Sequence, residues 1–372
     1  MTATLSRTAD RLGDPADAAN PLGFAALVAA DERGELPAVQ LGFTPELVRA
    51  LGGRDLGLVL GRALAPALSG LPRPAGYAFL REEPLRARPV DGALLLDGQV
   101  HATGPGALLL TVELAGTARY LLLPAELRPP AGPFYRTPGL RGCRPHRLAF
   151  TGHRVPADAL LPGPADPARA ARLLAGATLG ALDTQLRTTL RFAEQRELYG
   201  RPVTALPSAR AALAEAFTDL LIADCCLARG TAATVEQLVP VLVREAGHRL
   251  ALLLGARSYL REGEHAIFQK HQRDLTTLAA LRGPLHQPGA RLAEQAAQAC
   301  RLVQQQSADP FRSAPHWLAA ALHRLAGLGD PTARAPHPHD LPPNDSPAAR
   351  AERDQLLLDE LRRRQRPATS PS

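Results

Sequence analysis

The histidines of this 372-residue chain are the first residues to consider as metal ligands. His265, His271 and His286 follow one another at intervals of 6 and 15 residues. Those intervals do not place three imidazoles on one helix face, and no cysteine lies among them, as a zinc site of the usual kind requires. His337 and His339 stand in a proline-rich stretch, where composition explains them better than ligation. The sequence therefore predicts no metal site.

Cysteines and glycine-rich loops offer no second kind of site. The four cysteines form no C-x-x-C pair, and we expect reduced, buried thiols of a cytoplasmic protein at Cys143, Cys225, Cys226 and Cys300. No G-x-G-x-x-G follows a predicted strand and no G-x-x-x-x-G-K occurs, so common nucleotide loops are not predicted. The N-terminal stretch lacks the apolar segment of a signal peptide, and no stretch reaches the roughly 18 uncharged apolar residues of a membrane span.

The charge of the chain is basic, with a net charge of +7 and a pI near 9.8. Lys270 is the only lysine, and the arginines are interleaved with Asp and Glu. A nucleic-acid arm shows a run of like charges instead, so charge alone gives only a third hypothesis of a nucleic-acid or membrane-surface binder. We expect neither partner. A basic surface does favour the approach of an anionic substrate.

The elements that must position any site fall into four segments. Residues 1–71 have a helical apolar spacing that glycines and a proline divide into short helices. Residues 72–160 contain short apolar runs with turns predicted at Asp97–Gly98, Ala115–Gly116 and Thr151–Gly152, which is typical of an antiparallel sheet or small barrel.

The C-terminal half is predicted to be helical. Asp166–Pro167 begins a long helix, Pro207 begins a second that ends at Gly230, Pro240 begins a third, and a fourth covers 285–303. Four such helices with short links, in residues 161–329, favour an antiparallel bundle. Residues 330–372 are rich in Pro, His, Arg and Asp and are predicted to be disordered, with at most an isolated charged helix at 350–366. The predicted fold class is α+β.

Four motifs in this order resemble those of the acyl-CoA dehydrogenase family. Residues 91–103 look like its d-G-x-x-L-x-G-x-K…T hairpin, and residues 139–157 look like the exit from its middle domain. Residues 196–202, R-E-L-Y-G-R-P, are similar to its R-x-x-F/Y-G-x-P at the end of the first bundle helix. Arg273–Asp274 matches its late R-D pair. The match covers roughly residues 78 to 285.

The resemblance implies an FAD-dependent enzyme that oxidises the α,β-bond of an acyl thioester of CoA or an acyl carrier protein. By this analogy Arg196 would bind the FAD diphosphate across a subunit interface, Tyr199 would pack near the cofactor, and Thr103 would contact the flavin ring. Ordinary alternatives are an arginine that neutralises a helix dipole, a core tyrosine and a strand-end hydroxyl. The family also implies a homo-oligomer assembled through the bundle.

The catalytic carboxylate of the family is missing from both places where the family carries it. The Y-E-G position is Leu281-Arg282-Gly283, and the position on the first bundle helix is Ala170. Arginine is never deprotonated in proteins, so Arg282 cannot accept a proton. Glu262 and Glu264 are the acidic residues that precede this stretch, and either is an alternative base.

Two flavin-binding motifs of the family are also only partly present in this sequence. Its T-E-P-x-A-G-S-D loop corresponds to Leu80-Arg-Glu-Glu-Pro84, and its Q-x-x-G-G motif retains only Gly263. Two functions therefore stay open. One is an acyl-CoA dehydrogenase-like oxidoreductase with FAD, and the other is a paralogue that keeps the fold as a non-redox binding or partner subunit.

Overall fold

The structure is a computed structural model, and it describes residues 12–37, 44–70, 75–80, 84–104, 106–329 and 346–365. It consists of two compact units, the first formed by residues 1–181 with 269–284 and the second by 182–268 with 285–372. The domain boundaries predicted at residues 71 and 160 both fall inside the first unit. Within the described ranges, no helix combines the length and apolarity that crossing a bilayer demands.

Short helices form the N-terminal part, as predicted: α1 (Phe24–Arg33), α2 (Pro45–Gly52), α3 (Leu56–Leu58), a π-helical turn (Val59–Ala63) and α4 (Leu64–Ser69). Local side chains fix where two of them begin. The Thr44 hydroxyl accepts a hydrogen bond from the Leu47 amide at 3.3 Å, and the Asp55 carboxylate accepts one from Leu58 at 3.2 Å. Each satisfies an amide that the first helical turn leaves unpaired.

Seven strands form one sheet in the first unit: β1 (Gly76–Leu80), β2 (Leu85–Val90), β3 (Ala93–Ala102), β4 (Leu108–Leu114), β5 (Thr117–Leu123), β6 (His146–Pro156) and β7 (Leu160–Pro164). Strands β1 and β2 both lie between β3 and β4, pairing antiparallel with β3 and parallel with β4. Strand β6 pairs with the other edge of β3, and β5 and β7 follow β4. The predicted antiparallel sheet is confirmed except for those two parallel pairings.

Two of the three predicted turns lie inside strands. Asp97–Gly98 is a bulge within β3, where the register with β6 shifts and Gly98 has φ 137°. Thr151–Gly152 likewise lies within β6. The chain instead reverses at Asp91–Gly92, with φ of 46° and 71°, and at the predicted Ala115–Gly116. A glycine with positive φ suits a hairpin turn and a bulge equally, so the local sequence did not separate them.

The helices of the C-terminal half are α5 (Pro167–Gln195), α6 (Pro207–Arg229), α7 (Val239–Leu254), α8 (Ala266–Arg282), α9 (Ala290–Gln306), α10 (Pro310–Ser313), α11 (Pro315–Gly329) and α12 (Pro347–Gln365). The predicted starts of α5 and α6 are confirmed, and the Asp166 carboxylate accepts a hydrogen bond from the Arg169 amide at 2.9 Å. Helices α8, α10, α11 and α12 were not among the four predicted for the bundle. In the second unit, α6 contacts α7, α9, α11 and α12.

Helix α12 corrects the prediction of a disordered tail for the part of that tail that the structure describes. It packs on α6 and α11 of the second unit, to which it belongs, and three of its leucines are buried: Leu357, Leu358 and Leu361. The Arg364 guanidinium lies 5.2 Å from the centre of the Phe217 ring on α6. Composition suggested a charged isolated helix because the apolar stripe is narrow. Burial of that stripe supplies the stability that an isolated helix lacks.

We predict that Leu361→Ala lowers the free energy of unfolding by about 2–4 kcal/mol, because it leaves a cavity at a side chain that is only 1% exposed. The matched control is Leu356→Ala on the same helix, whose side chain is 43% exposed and whose loss costs less than about 0.5 kcal/mol. Urea denaturation of the full chain measures both values. Equal losses from the two variants would contradict the packing of α12.

Candidate functional site

Position 282, which the motif resemblance aligns with the family's base, is the last residue of α8 and lies in the first unit. Arg282 is half-buried, and the preceding Leu281 and Leu278 belong to the apolar core that includes the partly buried Tyr77. Burial raises the pKa of Tyr77, and the positive charge of Arg282 opposes that shift. The position therefore presents a permanent cation beside a neutral phenol, and neither group accepts a proton at neutral pH.

The other candidate positions for a base bring no buried carboxylate to the apolar core around position 282. Ala170 on α5 is 6% exposed and contributes a methyl group to the same apolar core. Glu262 and Glu264 belong to the second unit and are exposed on the segment that precedes α8. The Glu264 carboxylate lies 3.4 Å from Nε2 of His265. None of these residues shows the buried, isolated carboxylate that a base for an α-proton calls for.

Sequence reasoning missed a buried ionic cluster on α8. The only lysine of the chain, Lys270, is fully buried, with Nζ 2.6 Å from the Asp274 carboxylate and 3.2 Å from that of Asp55. Asp274 also accepts a hydrogen bond from the Leu140 amide at 2.7 Å. The sequence signal was the unique lysine four residues before the Asp of the R-D pair, the spacing at which helix side chains meet.

Arg273 extends this cluster towards α1. Its guanidinium lies 3.3 Å from the Glu32 carboxylate and 3.5 Å from that of Asp31, and it donates a 2.8 Å hydrogen bond to the Pro138 carbonyl. Asp31 accepts a 3.2 Å hydrogen bond from the Arg141 amide. The R-D pair thus connects α8 to α1 and to the loop before β6, which is a structural role.

Electrostatics in the Lys270 cluster exclude the lysine as a base. Burial by itself lowers the pKa of Lys270, but the fields of Asp274, Asp55 and Asp31 outweigh it and raise that pKa above its usual value. Burial raises the pKa of Asp31 to about 6 and also raises that of Asp55. Next to the lysine, burial and the lysine's charge lower the pKa of His271 to about 4. The lysine therefore stays an ammonium and the histidine stays neutral.

Thr103, predicted to contact a flavin ring, is fully buried at the end of β3. Its hydroxyl oxygen lies 2.7 Å from the Tyr77 carbonyl and 3.2 Å from the Leu60 carbonyl, and it accepts from the Tyr77 amide at 3.3 Å. A threonine hydroxyl has one proton to donate and two lone pairs. The backbone of β1 and of the π-helical turn engages it, so the structure gives Thr103 the role of a buried strand-end hydroxyl.

Arg196 and Tyr199 lie where α5 leads into a hairpin of the second unit, β8 (Glu197–Leu198) and β9 (Arg201–Pro202). Tyr199 and Gly200 form its two-residue turn with φ of 55° and 72°. The Tyr199 side chain is 93% exposed, which removes the alternative of a core tyrosine. Arg196 is exposed, and no other side chain of the described ranges pairs with its guanidinium.

Cationic and aromatic groups surround the end of α5 near this hairpin. The Arg257 guanidinium lies 4.9 Å from the centre of the Phe192 ring, and the edge of His265 meets the same ring with centroids 5.7 Å apart. Burial lowers the pKa of His265, and the charges of Arg257 and Arg191 lower it further. The surface at this end of α5 therefore presents fixed positive charge around a neutral imidazole.

His265, His271 and His286 take part in no cluster of metal ligands among the described residues. The described part of the chain contains no group of three or more His, Cys, Asp or Glu side chains arranged to hold a metal ion. Nε2 of His271 lies 3.2 Å from the Gly53 carbonyl, and Nδ1 is buried without a hydrogen-bond partner. His286 is exposed, and His337 and His339 lie outside the described residues.

Comparison with known proteins identifies the fold. No protein-family model matches the sequence, and no curated protein matches it significantly. A glutaryl-CoA dehydrogenase from Mycobacterium smegmatis in complex with FADH2 superposes with a TM-score of 0.56 at 17% identity, covering 83% of this chain and 94% of that one. The chain has the acyl-CoA dehydrogenase fold.

Two further structures show the same fold. FkbI, which serves biosynthesis of the methoxymalonyl extender unit of a polyketide, gives a TM-score of 0.57 at 16% identity, with 82% of this chain and 99% of that chain covered. An acyl-CoA dehydrogenase from Bacillus anthracis complexed with FAD gives 0.54 at 14% identity, with 97% and 78% covered. The α+β fold inferred from the motifs is therefore confirmed.

We predict that Asp31→Asn makes stability less sensitive to pH. The folded-state pKa of Asp31 is about 6, above its usual 3.8. The protonated carboxyl therefore contributes its full share to the free energy of unfolding below about pH 4, and that share is lost as the pH rises through 6. Relative to wild type, Asp31→Asn should therefore gain about 1–3 kcal/mol between pH 4 and pH 7. Urea denaturation across that range measures the difference. Exposed Asp158→Asn controls for loss of one negative charge, and an Asp31→Asn difference that is constant with pH would contradict the prediction.

Proposed function

We propose that this chain is an acyl-CoA dehydrogenase-type oxidoreductase that acts on an acyl thioester and binds FAD through its diphosphate. The thiol component of the thioester is CoA or an acyl carrier protein, and the reaction class is oxidation of the α,β-bond. The proposal draws on the fold and on the likeness to structures that contain FADH2 or FAD. It includes a homo-oligomer assembled through the helices and a cytoplasmic location.

The observation that carries the proposal is the exposed guanidinium of Arg196 at the exit of α5. The segment continues into the two-residue turn of the hairpin, where the neighbouring Tyr199 ring is exposed to solvent. A guanidinium that pairs with no carboxylate among the described residues suits bidentate binding of a diphosphate oxygen pair. Arg191 and Arg257 add positive charge at the same end of α5.

The resemblance implies Arg196 as the contact for the FAD diphosphate and Thr103 as the contact for the flavin ring, and only Arg196 suits its implied partner. Arg196 fits the anionic diphosphate because its guanidinium is exposed and pairs with no other side chain in the described part of the chain. Thr103 does not fit a flavin ring because its hydroxyl is buried and bonded to backbone groups. When bound, FAD supplies hydride acceptance in this family. Arg282 and Ala170 stand at the two positions expected for the base, and neither side chain accepts a proton.

A second candidate function is a non-redox binding or partner subunit that keeps the fold. Two observations favour it: a permanent cation at position 282, and the buried hydroxyl of Thr103. On this alternative the cation at position 282 binds the carboxylate or phosphate of a ligand and takes no part in oxidation. Large apolar side chains are exposed in the second unit, which supports a partner surface in either case: Leu252, Tyr259 and Leu260.

The experiment that separates the two functions is a test for flavin. On the first proposal, the purified full-length protein is yellow, or becomes yellow after incubation with FAD and gel filtration. A protein that stays colourless and shows no quenching of FAD fluorescence supports the second. Acyl-CoA substrates of several chain lengths with an artificial electron acceptor then test for oxidation directly.

We predict that Arg196→Gln weakens FAD binding by about 10- to 100-fold, because a charge-assisted hydrogen bond is worth about 1.5–3 kcal/mol. Arg196→Lys should recover part of the loss, since it restores the charge without the planar fork. Fluorescence titration with FAD measures the affinities. The control is Arg229→Gln, an exposed arginine in the last turn of α6 that tests the helix-dipole alternative. Equal weakening by both glutamine variants would contradict a specific diphosphate contact.

A further inference from the structure

We infer that Thr103 joins the N-terminal helices to the sheet, and that no flavin ring contacts it in this protein. The inference bears on the proposed function, because it removes the ring contact that the family resemblance implies. It does not require the chain to bind FAD. It concerns groups of the first unit alone: the π-helical turn, β1 and the end of β3.

The Thr103 hydroxyl connects three backbone segments that are distant in sequence. Leu60, in the π-helical turn, is 43 residues away, and Tyr77, in β1, is 26 residues away. The Thr103 amide also donates to the Tyr77 carbonyl at 3.1 Å. The π-helical turn supplies the Leu60 carbonyl, and such turns are rare insertions that redirect helix backbone. The two carbonyls share the single hydroxyl proton, and burial makes loss of the hydroxyl costly because it leaves these groups unpaired.

The backbone around Thr103 is too closely packed for a ring to enter. A Cβ on Gly76 would overlap the Thr103 carbonyl oxygen, so a side chain at position 76 is excluded. A Cβ on Gly104 would lie 3.1 Å from the Gly61 carbonyl oxygen and 3.3 Å from the Gly76 Cα, and Gly104 has φ of +87°. The Gly104 amide donates to the Cys143 carbonyl at 2.6 Å. Glycine backbone from the π-helical turn, β1 and β3 therefore occupies the space beside Thr103.

Contact between Thr103 and a flavin ring would need this packing to open. The π-helical turn would have to leave β1, which exposes core leucines of α3 and α4 that are fully buried, such as Leu58 and Leu64. Burial of a leucine stabilises a protein by about 1.5–3 kcal/mol, so opening is strongly unfavourable. The threonine of the family motif is thus retained here for a structural reason.

The test uses the full-length protein and three variants. Thr103→Val removes the hydroxyl at nearly constant volume, Thr103→Ser keeps a hydroxyl, and Thr277→Val is the matched control. Thr277 is 2% exposed, and its hydroxyl accepts a 3.1 Å hydrogen bond from the Gly139 amide across 138 residues. The measurements are the melting temperature, the affinity for added FAD, and the visible absorbance spectrum of any bound flavin.

We expect both valine variants to melt several degrees below wild type, and Thr103→Ser to melt close to it. Neither valine variant should change the FAD affinity or the flavin spectrum. A shifted spectrum, or FAD binding weakened tenfold in Thr103→Val but not in Thr277→Val, would overturn the inference. So would a Thr103→Val protein that melts like wild type. If wild type binds no FAD, the flavin proposal fails, whereas a lower melting temperature for Thr103→Val, recovered by serine, still supports the role of Thr103.

Discussion

The ion pairs of Lys270 with Asp55 and Asp274 are the interaction on which the first unit depends. They are fully buried, and they join α8 to the start of α3, while Asp274 also receives the Leu140 amide. Taking these charges out of water is costly, and only close pairing with additional hydrogen bonds offsets that cost. The cluster therefore fixes where α8 lies relative to the N-terminal helices and the loop before β6. Position 282, three turns further along α8, takes its place from this arrangement.

A fold can be kept while the chemistry that usually accompanies it changes. Here the helical and β elements of the acyl-CoA dehydrogenase fold are present, but a cation stands at the end of α8 and a bonded hydroxyl stands at the end of β3. Both features lie in the first unit. The second unit keeps the exposed arginine and the hairpin that suit an anionic ligand. The two proposed functions share the binding of an anionic ligand and differ in whether the chain also oxidises it.

Much of the fold could be predicted from the sequence because its signals are local. Asp166 with Pro167, Pro207 and Gly230 mark helix ends through groups that act within one turn. Turns were predicted less well, because Asp97–Gly98 and Thr151–Gly152 satisfy the same local rules in a bulge or within a strand as in a hairpin. Pairing of β3 with β6 decides between these outcomes, and that pairing joins residues about 50 apart, such as Gly98 and Phe150. Helix α12 was expected only as an isolated helix, because the packing that stabilises it is not a local signal.

The sequence by itself determined which side chains stand at the two positions that the motif resemblance aligns with the family's base: Arg282 and Ala170 are not carboxylates, whatever the structure. Only the tertiary structure decided that Thr103 is bonded to Leu60 and Tyr77, that Tyr199 is exposed, and that Lys270 is buried between carboxylates. The physical reason is distance along the chain. The identity of a residue fixes which interactions its side chain is able to make. Which of them it makes depends on partners far away in sequence, such as Tyr77 and Leu60, which lie 26 and 43 residues from Thr103.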